Sequence, residues 1–401
     1  MFIGKPVPAA VLIDRDEIVN KLVKDISNSR IHPSFALLGY RRIGKTSILL
    51  KVKEELETRE LVVVYFDVKE RATDPEGFLR DLEEELLSAY SNHLGGFQKV
   101  AIKASGLPRA IAQKVIDLVS SVESFGVELS PDGTIMPKIK LGDKSEEDFA
   151  KLFRSVFKTA DVIAERAKKR VVLIFDEFQD ILRLKEYKGL KNVLDLYRGA
   201  LQKRGNVCHI ISGSRVHMLR SIFEEPGSPL FQHFTSETIG DLDESYATKL
   251  FSSVVENREI GVGKEELRKS GKKIFSLVGG HPYYIILLAE AWDGKSSLEN
   301  TFERLIAAPT GSLYIYANYV IAEDLGKATG GPMLNKIVRV IAQEGKPMES
   351  SEIARKVGKP QNYIQSYLRH LSDYDVITRV DRGVYRLVDN VISQCIAKNS
   401  L

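Results

Sequence analysis

The sequence predicts an α/β chain in three parts: a parallel sheet flanked by helices, a helical unit without strands, and a small C-terminal domain of helices closed by a hairpin. Three observations predict it. Up to about residue 241, short runs rich in Val, Ile and aromatic residues alternate with helical patterns. Such runs fit strands covered on both faces, and their alternation with helices argues for a parallel sheet. After Ile239 the strand-like runs stop and helical patterns follow one another. Beyond the joint Ala328-Thr329-Gly330-Gly331-Pro332, the pattern is helix, helix, turn, helix, hairpin, which is the order of a winged helix-turn-helix. The expected units are therefore 1–241, 242–330 and 331–401.

The strands expected in the first unit are Phe35–Leu38, Leu61–Val68, Val171–Phe175, Asn206–Ile211 and Glu237–Ile239. Between them lie helical patterns at Lys45–Arg59, Pro75–Tyr90, Ser145–Lys168, Gly189–Lys203 and Val216–Phe223. An insert at about 95–143 interrupts the alternation. It holds an amphipathic pattern, Pro108–Ser121, and a hairpin of Phe125–Ser130 with Ile135–Leu141 around Pro131-Asp132-Gly133. A stretch such as 108–141 is either a protein-contact surface or a decorated sheet edge. The second unit reads as Asp243–Asn257, Lys264–Val278, His281–Trp292 and Leu298–Ala307, with Gly279-Gly280 and Asp293-Gly294 as helix stops.

Composition narrows the class. The 401 residues are 43% hydrophobic and 28% charged, a globular profile. No segment approaches the ~18 consecutive apolar residues of a membrane span. Residues Met1–Lys24 show no secretory pattern, and two cysteines, Cys208 and Cys395, make neither a disulfide framework nor a metal-ligand spacing. A cytoplasmic location without membrane contact is expected. The net charge of +4 announces no nucleic-acid partner, so any basic patch must be local.

Gly39-Tyr40-Arg41-Arg42-Ile43-Gly44-Lys45-Thr46 matches G-x-x-x-x-G-K-[ST] between an apolar strand and a helix. The glycines let backbone N–H groups turn inward around phosphates, and the helix N-terminus adds positive potential. Lys45 is expected on the β- and γ-phosphates, Thr46 on Mg²⁺, and Ser47 completes the candidate ATP-contacting run Gly39–Ser47. The strand Val171–Phe175 ends in Asp176-Glu177. Asp176 is the candidate Mg²⁺ partner and Glu177 the candidate general base for an attacking water. A glutamate in that place points to ATP hydrolysis rather than to a GTPase that orients water with glutamine. Ser212 or Ser214, at the end of the next strand, is placed to sense the γ-phosphate, with Ser214 taken as the candidate; an ordinary Ser-Gly turn fits as well.

Four motifs carry a resemblance to a known family: G-Y-R-R-I-G-K-T-S-I-L (39–49), L-I-F-D-E-F-Q-D (173–180), S-G-S (212–214) and G-G-H-P-Y-Y (279–284). The chain resembles the archaeal ATPase family, a branch of the STAND group within the AAA-like ATPases, over nearly its whole length. The resemblance implies a sheet order of 5-1-4-3-2, a helical lid over the nucleotide and ATP as ligand. It implies that Leu12–Ile18, with Arg15, folds over the adenine, that Pro282 lies near the base and that His281 lies near the phosphates. It also implies a switch that adopts different domain arrangements with ATP and ADP. The sequence departs from relatives in one place. Where they often carry an arginine before the fifth strand, Ser228–Phe234 offers Gln232 or His233. A subunit-completed site is correspondingly in doubt, and the sequence leaves the oligomeric state open.

In the third unit the helices expected are Met333–Glu344, Ser350–Val357 (capped by Ser350 or Ser351) and Pro360–Ser372, followed by strands Val376–Val380 and Gly383–Val388. Ten Lys/Arg face seven Asp/Glu between Met333 and Asp389, a modest excess. Should the unit bind double-stranded DNA, Gln361, Asn362, Gln365 and Arg369 are the candidates for the major groove. Arg382 is the candidate at the wing, with Lys356 and Lys359 near the backbone. Three functions fit: an ATP-driven switch acting on DNA; an ATP-gated signalling or scaffold protein whose winged helix and insert contact protein; and an initiator-like DNA remodeller, disfavoured by the missing arginine.

Overall fold

The computed structural model describes residues 12–28, 33–72, 74–94, 117, 125–129, 135–139, 146–202, 206–325 and 331–399. Strands β1 (Phe35–Leu38) and β2 (Val62–Asp67) are followed by β3 (Phe125–Leu129) and β4 (Ile135–Ile139), an antiparallel hairpin that pairs only with itself among the described residues. Next come β5 (Val171–Asp176), β6 (Val207–Gly213) and β7 (Thr235–Thr238). The main sheet runs β7-β1-β6-β5-β2 with every pairing parallel. With the hairpin set aside, its own strands read 5-1-4-3-2, as the resemblance implies. The hairpin lies where the sequence put it. The helix expected at Pro108–Ser121 lies outside the described residues, apart from Asp117.

Both faces of the sheet are covered, which is why all six residues of β5 are buried. On one face pack Pro75–His93, Glu146–Ala167, Val193–Leu201 and Val216–Phe223, around Phe66, Phe153, Phe175 and Tyr197. On the other pack Asp16–Ser27 and Lys45–Thr58, with Leu22, Ile48 and Val52 against Leu37 and Ile174. Parallel pairing brings the C-terminal ends of β1, β5, β6 and β7 to one edge of the sheet, where open α/β sheets build their sites.

Past β7 come five helices: Glu244–Glu256, Lys264–Val278, Pro282–Ala291, Leu298–Ala307 and Ser312–Leu325. They share a core of Phe251, Ile274, Ile285, Leu288 and Trp292. The chain then forms Gly331–Glu344, Ser350–Val357 and Gln361–Asp373 with a small antiparallel sheet. That sheet holds β8 (Met348–Glu349), β9 (Ile377–Asp381) and β10 (Val384–Leu387) in the order β8-β10-β9. The first of these helices starts at Gly331, inside the stretch expected as a joint; 326–330 lie outside the described residues. A last helix, Asn390–Lys398, bolts the two cores together: Val391 and Cys395 enter the five-helix core and Ile396 the C-terminal one.

One expected cap is corrected. The N-cap of Ser350–Val357 is Glu349 and makes no side-chain cap bond. Ser350 is already inside the helix, and its hydroxyl accepts from Gln361 Nε2 at 2.7 Å. The backbone N–H of Ser350 is taken by Gly383 O, so the turn before β10 rather than a serine cap holds the start of this helix. Among the described residues, no single helix is long and apolar enough to cross a membrane.

Candidate functional site

The phosphate loop leaves β1 at Gly39. A Cβ there would stand 2.7 Å from Ile239 O, so only glycine lets the loop pass beside the chain after β7. Arg42 (φ 62°) and Gly44 (φ 102°) are both left-handed, which turns successive N–H groups to one side and opens the helix Lys45–Thr58. Lys45 is 4% exposed, and its Nζ donates to Gly39 O (2.8 Å) and Tyr40 O (3.0 Å). Burial pulls its pKa down, against the pull of the Glu177 and Asp176 carboxylates. The ammonium is thus held inside the loop on the loop's own carbonyls.

Asp176, 2% exposed, sits at the end of β5 and collects four donors. Thr46 Oγ1 (2.6 Å) and Tyr65 OH (2.9 Å) reach Oδ2, while the Ser212 hydroxyl and the Glu177 N–H (3.0 Å) reach Oδ1. Glu177 adopts φ 49°, a left-handed conformation uncommon for a non-glycine residue and frequent at functional sites. Its Oε2 accepts from Ser214 Oγ (2.7 Å), Ser214 N (3.2 Å) and Gln179 Nε2. Burial alone would raise the Glu177 pKa. The Lys45 charge, the Gln179 and Ser214 bonds and the Arg41 charge outweigh it, so the group stays a carboxylate. The two serines that the sequence left as alternatives are therefore both engaged, Ser212 with Asp176 and Ser214 with Glu177. Gly213 between them has no room for a side chain, since a Cβ would meet Gln179 Oε1 at 2.0 Å.

The helical unit closes over this loop. His281 Nε2 donates to Arg41 O at 3.0 Å, and the ring stacks on Tyr284 at 4.3 Å. Burial pushes the His281 pKa down, which keeps the imidazole neutral with its proton on Nε2. Pro282 opens the helix Pro282–Ala291, and Arg42 lies over the Tyr283 ring at 5.3 Å. Gly280 is required because a Cβ would collide with Leu242 O at 1.7 Å. Arg15 donates to Gly240 O (2.8 Å) and Ile43 O (3.4 Å), so its guanidinium ties the loop to the entrance of the helical unit. Ser47 is buried, and Tyr40 is largely exposed. Gln232 and His233 sit in the turn before β7, and neither lines the cavity described next.

A cavity of about 470 Å³ opens beside the loop, walled by Tyr40 and Arg41, by Ser214 and Arg215, by His281 and by Asp389. The C-terminal unit supplies one wall and docks on the residues just after Ser214. The Asp375 carboxylate accepts from His217 N at 3.1 and 3.2 Å, and Arg215 lies over the Tyr374 ring at 4.5 Å. Tyr284 OH donates to Asp389. Of the candidate DNA residues, Gln361 is held by Ser350; Asn362, Gln365, Arg369 and Arg382 are exposed. The sequence reading passed over Tyr65, Arg215 and Asp375 as site residues. The first lies on a strand chosen only for its apolar content, and the last is 158 residues from its partner.

A Walker loop after β1, an acidic pair at the end of β5 and a helical cover define a P-loop ATPase. Residues 12–288 match the family described as an ATPase domain predominantly from Archaea, and the chain belongs to that family. Similar solved structures include a Walker-type ATPase of Pyrococcus abyssi, at TM-score 0.66 and 18% identity, with 97% of each chain covered. They include also the Aeropyrum pernix ORC2 protein in ADPNP-ADP complexes, at TM-score 0.52 and 13% identity, with 96% of this chain and 94% of that one covered. At these identities the likeness is one of fold. No curated protein matches the chain in sequence.

Proposed function

We propose that this ATPase is a slow, nucleotide-gated switch of the STAND type, built from units 1–241, 242–330 and 331–401. On this reading its C-terminal winged helix engages double-stranded DNA. ATP is bound along Gly39–Ser47 with Lys45 on the phosphates, and Glu177 accepts a proton from the attacking water while Ser214 and Gln179 hold its carboxylate. Arg15, His281 and Pro282 belong to the part of the site that joins loop to lid. The residues present suit Mg²⁺: the Thr46 hydroxyl and the Asp176 carboxylate are hard oxygen donors already within 2.6 Å of each other. Mg²⁺, when bound, would supply positive charge to the phosphates, and one or two protein oxygens are all it needs from the chain. Two buried free cysteines suit a reducing, cytoplasmic compartment.

The observation that carries the switch is the docking of Asp375 and Tyr374 on Arg215 and His217. The residue that holds the base, Ser214, is directly bonded to the residue that holds the C-terminal unit. DNA contact is supported by the exposed Asn362, Gln365, Arg369 and Arg382, and by Gln361, which opens the same helix, is exposed and donates to Ser350. The test is fluorescence anisotropy with random duplex DNA at two salt concentrations. The protein is taken without nucleotide, with ADP, and with ATP and Mg²⁺ on Glu177→Gln. Asp375→Ala is included to loosen the dock. Salt-dependent binding that changes with nucleotide and rises in Asp375→Ala supports the reading. Absence of binding up to about 0.1 mM DNA in every state refutes the DNA part and turns the search to a protein partner, through the winged helix or the 108–141 insert.

A further inference from the structure

The helical unit grips the phosphate loop by more than its backbone. Glu323, on the helix Ser312–Leu325, accepts from Arg41 Nη1 at 2.9 Å and from Lys69, which lies just past β2. Tyr319, one turn earlier, donates to the same carboxylate. Burial works against the charge on Glu323, but the Lys69 and Tyr319 bonds and the Arg41 guanidinium overcome it and hold the group at about 2. Arg41 belongs to the phosphate loop and lines the same cavity as Ser214, which holds the Glu177 carboxylate, so its guanidinium lies on the side of the loop that faces the candidate base. A fixed carboxylate therefore sits one guanidinium away from that position, on an element that belongs to the lid and not to the sheet.

We propose that Glu323 is a specificity-determining residue that discriminates ATP from ADP by competing with the terminal phosphate for Arg41. ADP leaves the triad of Arg41, Lys69 and Glu323 undisturbed. ATP brings additional negative charge to the same guanidinium, and in a partly desolvated site the two anions repel. Binding of the triphosphate then requires either that Glu323 withdraw, taking the helix Ser312–Leu325 with it, or that the repulsion be borne as lost affinity. In both cases the diphosphate is favoured at rest. Lys69 moderates the effect by neutralising part of the Glu323 charge.

This inference rests on ATP binding at Gly39–Thr46, which Lys45→Ala tests separately: loss of both nucleotides there leaves the loop assignment standing whatever Glu323 does. The discriminating measurement is calorimetric titration of Mg-ATP and Mg-ADP into Glu177→Gln protein, alone and combined with Glu323→Gln or Lys69→Met. Glu323→Gln keeps an acceptor for both cations and removes the charge. It is expected to tighten ATP by about tenfold while ADP moves by less than about twofold. Lys69→Met leaves the carboxylate less neutralised and is expected to weaken ATP relative to ADP. Both substitutions break the same ion pair, so simple loosening of the lid would move the ATP-to-ADP ratio in the same direction in both. Opposite directions support the proposal; an unchanged ratio in Glu323→Gln, or equal directions in the two variants, overturns it.

Discussion

Glu83 offers a quantitative check on the packing beneath the sheet. It lies in the helix Pro75–His93 and is 0% exposed. Its Oε1 accepts from Thr159 at 3.0 Å, and its Oε2 meets no donor among the described residues. Burial lifts its pKa from 4.5 to about 8, only partly opposed by the Thr159 bond. A carboxyl whose pKa is raised on folding contributes fully below its unfolded value, and that contribution is lost as pH rises toward the folded one. The slope is about 1.4 kcal/mol per pH unit between 4.5 and 8, so the native chain should lose about 3 kcal/mol between pH 5 and 7.5 from this residue. Glu83→Gln removes the titration. It leaves an amide N–H₂ without an acceptor at a cost of about 1–3 kcal/mol, and that cost does not depend on pH. The stability difference between variant and native protein should therefore shift by about 3 kcal/mol in the variant's favour across that window, whatever its sign at pH 5. Urea unfolding followed by far-ultraviolet circular dichroism at pH 5, 6.25 and 7.5 measures it. Parallel stability curves for the two proteins would refute the assignment of a buried, protonated Glu83.

Two further outcomes follow from neighbouring features. His209 is buried against Tyr197 at 2.8 Å, and burial depresses its pKa to about 3. Its contribution is present above 6.5 and lost as pH falls, so His209→Gln should remove about 2 kcal/mol of the destabilisation seen at pH 5, measured by the same urea titrations. Ser214→Ala removes the 2.7 Å donor to Glu177 and should raise the pKa of that carboxylate, moving the acid limb of the kcat–pH profile to higher pH and lowering turnover by about tenfold. Loss of turnover without movement of the limb would assign Ser214 a purely structural part.

Most of the sheet was legible because β1, β2, β5 and β6 are largely apolar runs between helices, and β1, Val216–Phe223 and Leu298–Ala307 fall at the expected residues; β7, the polar edge strand Thr235–Thr238, starts two residues before the expected Glu237–Ile239 because it has no apolar run to mark it. What escaped had weak or conflicting local signals. The helix Ser312–Leu325 carries apolar residues on every side, with Ile315 and Tyr319 exposed, so no single face announces it. The turn at Glu177 is left-handed, and the segment after it becomes the 3₁₀ stretch Phe178–Glu186. The lysine loop and the acidic pair could be found by spacing and context. Arg41 with Glu323, 282 residues apart, and Tyr65 with Asp176, 111 apart, could not, because only the tertiary fold brings them together.

The connection from base to C-terminal unit is short enough to constrain how the proposed switch would work. Oε2 of Glu177 is occupied by Ser214 and Gln179, so a carboxylate that turns toward water must release at least one of those bonds. The Ser214 backbone N–H is one of the donors, and the next residue, Arg215, is stacked on Tyr374. A shift that frees Glu177 therefore tends to move Arg215 against its aromatic partner. It also disturbs the N-terminus of the helix Val216–Phe223, where Asp375 caps His217. Reciprocity then applies: whatever nucleotide loosens this dock must bind more tightly when the dock is already loose. The lid is tied to the phosphate loop by the charge-assisted hydrogen bond from Arg41 to Glu323. On the proposed switch, the triphosphate would meet a C-terminal unit attached through Ser214 and a lid attached through Arg41. Both attachments would then weaken at the atoms where ATP differs from ADP.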